Sequence, residues 1–160
     1  MQRVVDASPL ILLAKVEALE LLRLGVEQVW APSEVLAEVA HGADAAADTI
    51  QRACADWLQT CHVRVSVPLL REALGMGERA LLEQALALER VQVVSDDLAA
   101  RRAALELGLV PIGTLGILLA AKRLGAIPSV AFYLNALREA GMYLSPWRVE
   151  RVLIEAGEQD

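Results

Sequence analysis

The sequence has few residues of the types that build cross-linked or thiolate-metal domains. Its two cysteines, Cys54 and Cys61, are too few for a disulfide framework and lack the companions that a zinc site needs. Its two histidines, His41 and His62, lack the close spacing of a metal-binding pair. We therefore exclude a disulfide-stapled domain and interpret both cysteines as core or surface thiols.

Long apolar runs are also missing. Charged residues interrupt the hydrophobic residues every few positions, and no uninterrupted stretch approaches the roughly 18–20 residues that span a bilayer. Residues 1–5 do not form a cationic and then apolar leader, because Asp6 and Pro9 follow directly. We therefore expect a soluble, cytoplasmic protein with no membrane partner.

An excess of basic residues is missing as well. The formal net charge is −6, which argues against a passive nucleic-acid-binding protein, since such proteins usually carry a basic surface. A nuclease is not excluded, because catalytic carboxylates add negative charge that a bound cation reverses locally. The basic residues are almost all arginines, and Lys15 and Lys122 are the only lysines.

The residues that are present predict an α/β fold. The chain has 160 residues, of which 56% are hydrophobic and only 4% aromatic, so an aliphatic core of one domain is expected. Short apolar strands alternate with helices, which predicts a three-layer sandwich with a central parallel sheet of about four to five strands flanked by helices. We assign residues 1–141 to this domain and residues 142–160 to a C-terminal tail, partly helical and packed on it.

Several local boundaries follow from the pattern. The predicted strands include residues 26–30, 61–67, 91–94 and 109–112, and residues 43–60 are interpreted as one helical stripe that includes Trp57 and Leu58. At the first strand, Val4 and Val5 lead into Asp6, and Ser8 with Pro9 predicts a helix start that Ser8 caps.

Asp6 admits two interpretations. Functional groups of parallel sheets gather at the carboxyl ends of strands, which favours an active-site acid. The alternative is a residue that only begins a turn.

A second strand also ends in acids. Residues 91–94 run into Asp96 and Asp97, and residues 109–112 run into Gly113 and Thr114. The carboxyl ends of parallel strands lie at one edge, so these residues are expected near Asp6. Close carboxylates repel one another unless a cation lies between them, and a divalent ion such as Mg²⁺ prefers such oxygen ligands.

Two helix acids are candidates to complete this group. Glu38 lies on the helix after the second strand, and Glu78 lies at a helix start after Gly77. Each has an alternative explanation. Glu34 and Glu38 lie one helical turn apart, as two acids on a solvent-exposed helix face would. Glu78 lies in the first turn of its helix, where the helix dipole favours an acid whatever its function.

The sequence resembles the PIN-domain nucleases. The resemblance covers nearly the whole chain, and within the family the sequence is most similar to a VapC-like prokaryotic branch. It is carried by Val-Val-Asp-Ala-Ser-Pro at 4–9, Pro-Ser-Glu-Val-Leu-Ala-Glu-Val at 32–39, Gly-Glu at 77–78, Val-Ser-Asp-Asp at 94–97 with Ala-Arg at 100–101, Ile-Gly-Thr-Leu-Gly at 112–116 and Tyr-Leu-Ser-Pro at 143–146.

The resemblance implies a PIN-like fold with an acidic pocket that binds Mg²⁺ or Mn²⁺ and cleaves RNA. By position, Asp6, Glu38 and Asp96 match the family's acids, and Ser8 matches the hydroxyl beside the first acid. Glu78 is the candidate fourth acid. The implied metal ligands are Asp6, Asp96 and Glu78, with Glu38 reaching the metal through water.

The match departs from the branch at one acid. Its Gly-Glu-x-Glu-Ala pattern has Ala80 at the second Glu position, which leaves Glu78 as the available acid. Three roles are open for Asp97. It can support the metal ligands from behind, bind the metal in place of Asp96, or place a charge at the N-terminus of the helix that follows it. Thr114 is a polar group near the metal or an N-cap of the helix that follows it.

Three arginines are candidates for phosphate contacts. Arg101 is the first of these, and Arg102 and Arg79 are weaker ones. Each is equally consistent with a helix surface.

Two other classes of function compete with the nuclease. A catalytically degraded PIN-like module that acts through protein binding is favoured by Ala80 and opposed by the retained acids. A phosphatase or receiver domain is disfavoured because Ser8 stands where a second Asp is needed and Lys122 is a poor late lysine.

Partners are implied by the resemblance only. Many VapC-like proteins are toxins, form homodimers and are silenced by a small antitoxin that fills the acidic groove. Apolar residues of the first helices could line such an interface or belong to the core, namely Leu12, Leu13 and Leu22.

Overall fold

Five short parallel strands form the centre of the structure. The computed structural model describes residues 1–42, 44–62 and 74–159. The sheet has the strand order β3-β2-β1-β4-β5, and all four pairings are parallel. The strands are β1 Gln2–Val5, β2 Gln28–Pro32, β3 Leu58–Cys61, β4 Val91–Val94 and β5 Val110–Ile112.

Helices connect successive strands and cover both faces of the sheet. A short 3-10 turn, Leu19–Arg23, lies between α1 and β2. In the described part of the chain the helices are α1 Ala7–Lys15, α2 Ser33–Ala40, α3 Ala45–Cys54, α4 Met76–Leu86, α5 Leu98–Glu106, α6 Thr114–Arg123, α7 Val130–Glu139 and α8 Pro146–Ala156. The α/β three-layer fold expected from the sequence is confirmed.

Alternate residues of each strand face opposite layers, because side chains in a strand alternate sides. Val5 and Val94 pack with residues of α1, α2, α3 and α6 on one face. Val4 and Val93 pack with residues of α4 and α5 on the other face. The aliphatic composition therefore fills two cores, one on each side of a sheet that is only a few residues long.

A third apolar cluster joins α6, α7 and α8. Val152 of α8 packs with residues of α6 and α7, and Ser145 caps α8 by accepting a hydrogen bond from the Arg148 N–H at 3.3 Å. In the described residues no helix combines the length and the apolar character that a membrane crossing requires.

The helix predicted over residues 43–60 is wrong at its C-terminal end. Helix α3 ends at Cys54, and Leu58 begins β3, where it lies opposite Val29 of β2. Trp57 donates from its indole N–H to Glu20 at 3.1 Å, a contact with the chain before β2. Pairing with the edge of the sheet therefore overrides the helical spacing, as tertiary contacts often override local propensity.

Two predicted strands are displaced. β2 spans Gln28–Pro32 rather than residues 26–30, and β3 begins before the predicted strand 61–67, of which residues 63–67 lie outside the described residues. The cysteines at the ends of α3 and β3 are half-buried free thiols. Of the three leucines considered for an interface, Leu13 and Leu22 are fully buried in the core.

Candidate functional site

The strand order reverses at β1, and this places two strand ends beside one crevice. β1 lies between β2 and β4, although β4 follows it only after two other strands. The Asp6 N–H donates to the Val94 carbonyl at 2.9 Å, and the Ser95 N–H donates to the Ile112 carbonyl at 3.0 Å. Asp6, Ser95 and Gly113 therefore lie together just beyond the carboxyl ends of β1, β4 and β5. Ligands of open α/β sheets bind at such a reversal.

The Asp6 carboxylate is buried at this crevice, with 4% of the residue exposed. Its Oδ1 accepts the Ala7 N–H at 2.9 Å, and its Oδ2 accepts the Ser95 Oγ–H at 2.8 Å. Burial raises the pKa of Asp6 to about 6, the two hydrogen bonds oppose that rise, and the charges of Glu78 and Glu38 add to it. The ionised carboxylate is thus kept in a place where a cation would stabilise it.

Glu38 and Glu78 come from two helices that pack against each other, α2 and α4. Burial raises the pKa of Glu38, the charge of Glu78 raises it further, and a hydrogen bond from the Gly77 N–H opposes both effects. A Cβ on Gly77 would overlap Glu38 Oε1, so the absence of a side chain there lets the carboxylate reach the start of α4. The charges of Glu38 and Glu78 therefore reach Asp6, and the charge of Glu78 reaches Glu38.

Asp96 follows Ser95 in the chain, and its carboxylate is bound by Thr114. Its Oδ1 accepts the Thr114 N–H at 2.8 Å, and its Oδ2 accepts the Thr114 Oγ1–H at 2.6 Å. Thr114 is fully buried and is the first residue of α6, whose N-cap is Gly113. Of the two roles considered for Thr114, the N-cap is therefore wrong. Both its backbone N–H and its hydroxyl donate hydrogen bonds to the Asp96 carboxylate, and together they fix the orientation of that side chain.

Asp97 has a different position from Asp96. It is exposed and caps α5 by accepting the Ala100 N–H at 2.8 Å, one of the roles considered for it. Its own N–H donates to Ser95 Oγ at 3.2 Å. Of the two neighbouring acids, Asp96 is the one whose carboxylate is oriented by the strand-end residues.

Ser95 is the residue to which the sequence analysis gave no role. It is fully buried, and its hydroxyl joins Asp6 to the start of α5. A small polar residue that directly follows an apolar strand and precedes two acids was the available signal. A buried hydroxyl needs a partner, and the partner here lies 89 positions earlier in the chain.

Ser8 does not cap α1. Asp6 itself is the N-cap, and Ser8 is an exposed residue of the first turn. Capping passes to Asp6 because its carboxylate is already directed at the Ala7 N–H by the strand end. Ser8 and Glu38 line one open groove of about 440 Å³, together with Lys15 at the end of α1.

The candidate phosphate-binding arginines differ in position. Arg101 is half-buried, and its Nη1 donates to the Ser95 carbonyl at 3.2 Å, which anchors it beside the strand end. A Cβ on Gly113 would lie 2.9 Å from both Arg101 Nη1 and Asp96 Oδ1, so the two side chains flank the same glycine. Arg79 donates to the Leu74 carbonyl at 3.2 Å, and Arg102 is exposed on α5.

A family model described as a PIN domain matches residues 2–158, nearly the whole chain. The chain belongs to the PIN-domain family. PIN domains are generally nucleases, so the crevice that holds the acids of this PIN domain is its candidate active site. No curated protein matches the sequence.

The donor set of the PIN domain fits a hard divalent cation. All four acids offer carboxylate oxygens, the ligands that Mg²⁺ and Mn²⁺ prefer. Within residues 1–42, 44–62 and 74–159, no three His, Cys, Asp or Glu side chains form a ready-made metal cage. Mg²⁺ is commonly held by one or two carboxylates with waters completing its shell, so a three-ligand group is not required of this donor set.

Proposed function

We propose that this PIN domain is an endoribonuclease that hydrolyses RNA phosphodiester bonds with Mg²⁺ or Mn²⁺. The observation that carries the proposal is the arrangement of three acids: Asp6 is buried at the crevice between β1 and β4, and the packing of α2 on α4 brings Glu38 against Gly77, the neighbour of Glu78. The charges of Glu38 and Glu78 both raise the pKa of Asp6. Ionised acids at close range raise the free energy of the folded protein, and a divalent cation removes that cost. A purely structural role gives no reason to bury Asp6 beside two further acids.

The residues divide into metal ligands and groups that position them. Asp6, Glu78 and Asp96 are the proposed ligands, with Glu38 acting through a water molecule. When bound, the metal lowers the pKa of a water molecule and stabilises charge on the leaving oxygen. Since that supplies the nucleophile, no covalent role is needed for Ser8, which is exposed at the rim and available to contact the substrate or a metal-bound water.

The chain's own contribution is to fix the acids before the substrate arrives. Ser95 holds Asp6, Thr114 holds Asp96, and the Gly77 N–H holds Glu38. Each contact selects one orientation of a carboxylate, so little rearrangement is required during the reaction. Arg101, anchored on the Ser95 carbonyl, is the proposed phosphate contact nearest to Asp96.

A role as the toxin of a toxin–antitoxin pair belongs to the same proposal. The VapC-like branch that the sequence resembles contains cytoplasmic toxins, many of them homodimers that a small antitoxin silences. The open groove beside Ser8 and Glu38 supports this role, because an arginine of an antitoxin could enter it and pair with Glu38. A short open reading frame that overlaps this gene would support it further.

The alternative is a catalytically degraded module that acts through protein binding. Ala80 favours it, because a small residue stands where the branch has a second Glu. Ala80 is fully buried in α4, on the face that packs against the rest of the domain. The grouping of the other acids opposes the alternative, since a module without catalysis gains nothing from their repulsion.

Cleavage of RNA by matched variants tests the proposal. Wild type, Asp6→Asn and Asp44→Asn are incubated with structured RNAs in EDTA, Mg²⁺ or Mn²⁺. Asp44 is the control because it is also an aspartate N-cap, accepting the Ala47 N–H at 3.0 Å, but it is exposed and caps α3 beside the far edge of the sheet. We expect metal-dependent cleavage by wild type and Asp44→Asn and a loss of at least about 100-fold in Asp6→Asn.

If wild type shows no more metal-dependent cleavage than Asp6→Asn does, the nuclease proposal is refuted and the protein-binding module is favoured. The same samples are heated with and without Mg²⁺. A rise in melting temperature for wild type that Asp6→Asn lacks would support metal binding at the acids even for an RNA that is not the natural target.

A further inference from the structure

A second groove begins at Asp96 and runs between the start of α6 and helix α8. It encloses about 430 Å³. Its lining includes Asp96, Arg101, Trp147, Arg148, Arg151 and Glu155. We call it the α8 groove. One end of it is an acid of the candidate active site, so a ligand that fills the groove also reaches that site.

Three arginines and two acids line the α8 groove, an excess of positive charge in a chain whose net charge is −6. Arg148 and Arg151 are exposed, and neither forms an ion pair with any residue that the structure describes. Glu155 also lines the groove, and its carboxylate lies 3.9 Å from the guanidinium of Arg123, which is not a lining residue. Guanidinium groups that are left without carboxylate partners along a concave surface are suited to bind phosphates bidentately.

An exposed indole lies among these arginines. Trp147 is 64% exposed, and the Arg151 guanidinium lies 5.3 Å from the centroid of its ring. The other tryptophans, Trp30 and Trp57, are bound through their indole N–H groups to Gln2 and Glu20. Trp147 thus presents a large flat apolar surface to solvent in the groove. So exposed a side chain contributes little burial to the stability of the fold.

We propose that the α8 groove binds single-stranded RNA, with an unpaired base stacked on Trp147 and phosphates held by Arg148, Arg151 and Arg101. This inference rests on the proposed function, and it assigns a surface of α8 that holds the substrate strand beside the same site. Aromatic stacking combined with a basic track is the way proteins hold single strands. A duplex hides the faces of its bases, so it cannot use Trp147. Continuity with Asp96 leads the bound strand to the acids.

Binding without catalysis tests the groove separately from the nuclease. Fluorescence anisotropy in EDTA measures the affinity of the full chain for a labelled single-stranded RNA of about ten nucleotides and for the corresponding duplex. We expect the single strand to bind more tightly than the duplex. Trp147→Ala should weaken single-strand binding by about 5- to 150-fold, the range for the loss of one stacked base, and Trp147→Phe should retain most of the affinity.

The arginines are tested by salt dependence. Each of Arg148→Ala and Arg151→Ala should reduce the slope of log affinity against log salt by about 0.7, the value for one lost phosphate contact on a single strand. Matched controls are Phe132→Ala, which removes an aromatic side chain that is 66% exposed on α7, and Arg52→Ala on α3. Neither residue lines the α8 groove, so both controls should bind as wild type does.

Three results would overturn the inference: Trp147→Ala binding RNA as tightly as wild type, the duplex binding as tightly as the single strand, or an acidic peptide binding the groove where RNA does not. The last result would make the groove a protein-docking surface. The two proposals fail separately. Binding that depends on Trp147 without any metal-dependent cleavage refutes the nuclease alone, whereas cleavage with unchanged affinity in the groove variants refutes the groove alone.

Discussion

Replacement of Asp6 by asparagine should stabilise the metal-free protein. The buried carboxylate has its pKa raised from its ordinary value of 3.8 to about 6. The folded protein therefore keeps the Asp6 proton to a higher pH than the unfolded chain does. Stability is then lost as the pH rises from about 4 to about 6, and above that pH the whole cost of the buried charge is present.

The size of this cost follows from the pKa. A rise from 3.8 to about 6 corresponds to about 3 kcal/mol, since one pKa unit is worth about 1.4 kcal/mol. Asparagine is a neutral isostere that resembles the protonated acid. It can accept the Ala7 N–H, but it must donate to the Ser95 hydroxyl that now donates to Asp6, and this rearrangement costs about 1 kcal/mol. The net gain for Asp6→Asn at neutral pH is about 2 kcal/mol.

Urea unfolding followed by circular dichroism measures this gain at pH 4.5 and pH 7.5 in EDTA. We expect Asp6→Asn to exceed wild type at pH 7.5 and the difference to shrink toward zero at pH 4.5. Asp44→Asn is the control, because Asp44 is exposed and asparagine caps a helix as well as aspartate does. Mg²⁺ should reduce the difference at pH 7.5 by stabilising wild type alone.

Two results would refute this prediction. One is a lower free energy of unfolding for Asp6→Asn than for wild type at pH 7.5, and the other is the same difference between the two proteins at both pH values. In that case the carboxylate would be stabilised by its hydrogen bonds more than it is destabilised by burial and by the neighbouring acids. A cation would then not be needed to offset the buried charge of Asp6.

Three further predictions concern neighbouring residues. Ser95→Ala removes a hydrogen bond that lowers the pKa of Asp6, so the pH at which metal-dependent cleavage reaches half its maximum should shift upward in a pH–rate profile. Gly77→Ala places a Cβ against Glu38, and the displaced carboxylate should reduce cleavage by at least about 10-fold with little change in the fold by circular dichroism. Glu158, whose pKa is lowered to about 2 by hydrogen bonds from the start of α7, stabilises the protein above pH 4.5 and less as the pH falls toward 2. Glu158→Gln should therefore lower the melting temperature at pH 7 more than at pH 3.

Each of these predictions has an outcome that contradicts it. An unchanged pH–rate profile in Ser95→Ala would mean that the Asp6 protonation state does not limit cleavage. Full activity in Gly77→Ala would show that Glu38 need not approach the start of α4. Equal losses at both pH values in Glu158→Gln would assign its effect to packing rather than charge.

The position of Asp6 and Asp96 at one edge of the sheet could be predicted from the sequence. Apolar runs separated by helices specify parallel strands, and parallel strands place their carboxyl ends at one edge, so an acid after each of two runs is brought to the same place. The proposal of a cation at this edge follows from the same pattern, since carboxylates brought close together favour one. Residue types and their spacing were sufficient for this part of the argument.

The choice among neighbouring polar residues was not predictable in this way. Both Asp6 and Ser8 are good N-caps by type, and both Thr114 and Gly113 can begin a helix. The structure assigns capping to Asp6 and Gly113 because Thr114 is engaged by Asp96 and the strand end directs Asp6 at the Ala7 N–H. Local rules list the candidates, and contacts with distant parts of the chain decide between them.

The sequence by itself therefore determined the layers of this PIN domain and the edge at which its first acids meet, because strand and helix periods are local properties of the chain. Only the tertiary structure decided that the packing of α2 on α4 brings Glu38 against Gly77, beside Glu78, and that Ser95 binds Asp6. It also decided that α8 carries Trp147 to a groove that begins at Asp96. These contacts join residues tens of positions apart, and their geometry depends on how helices pack on the finished sheet.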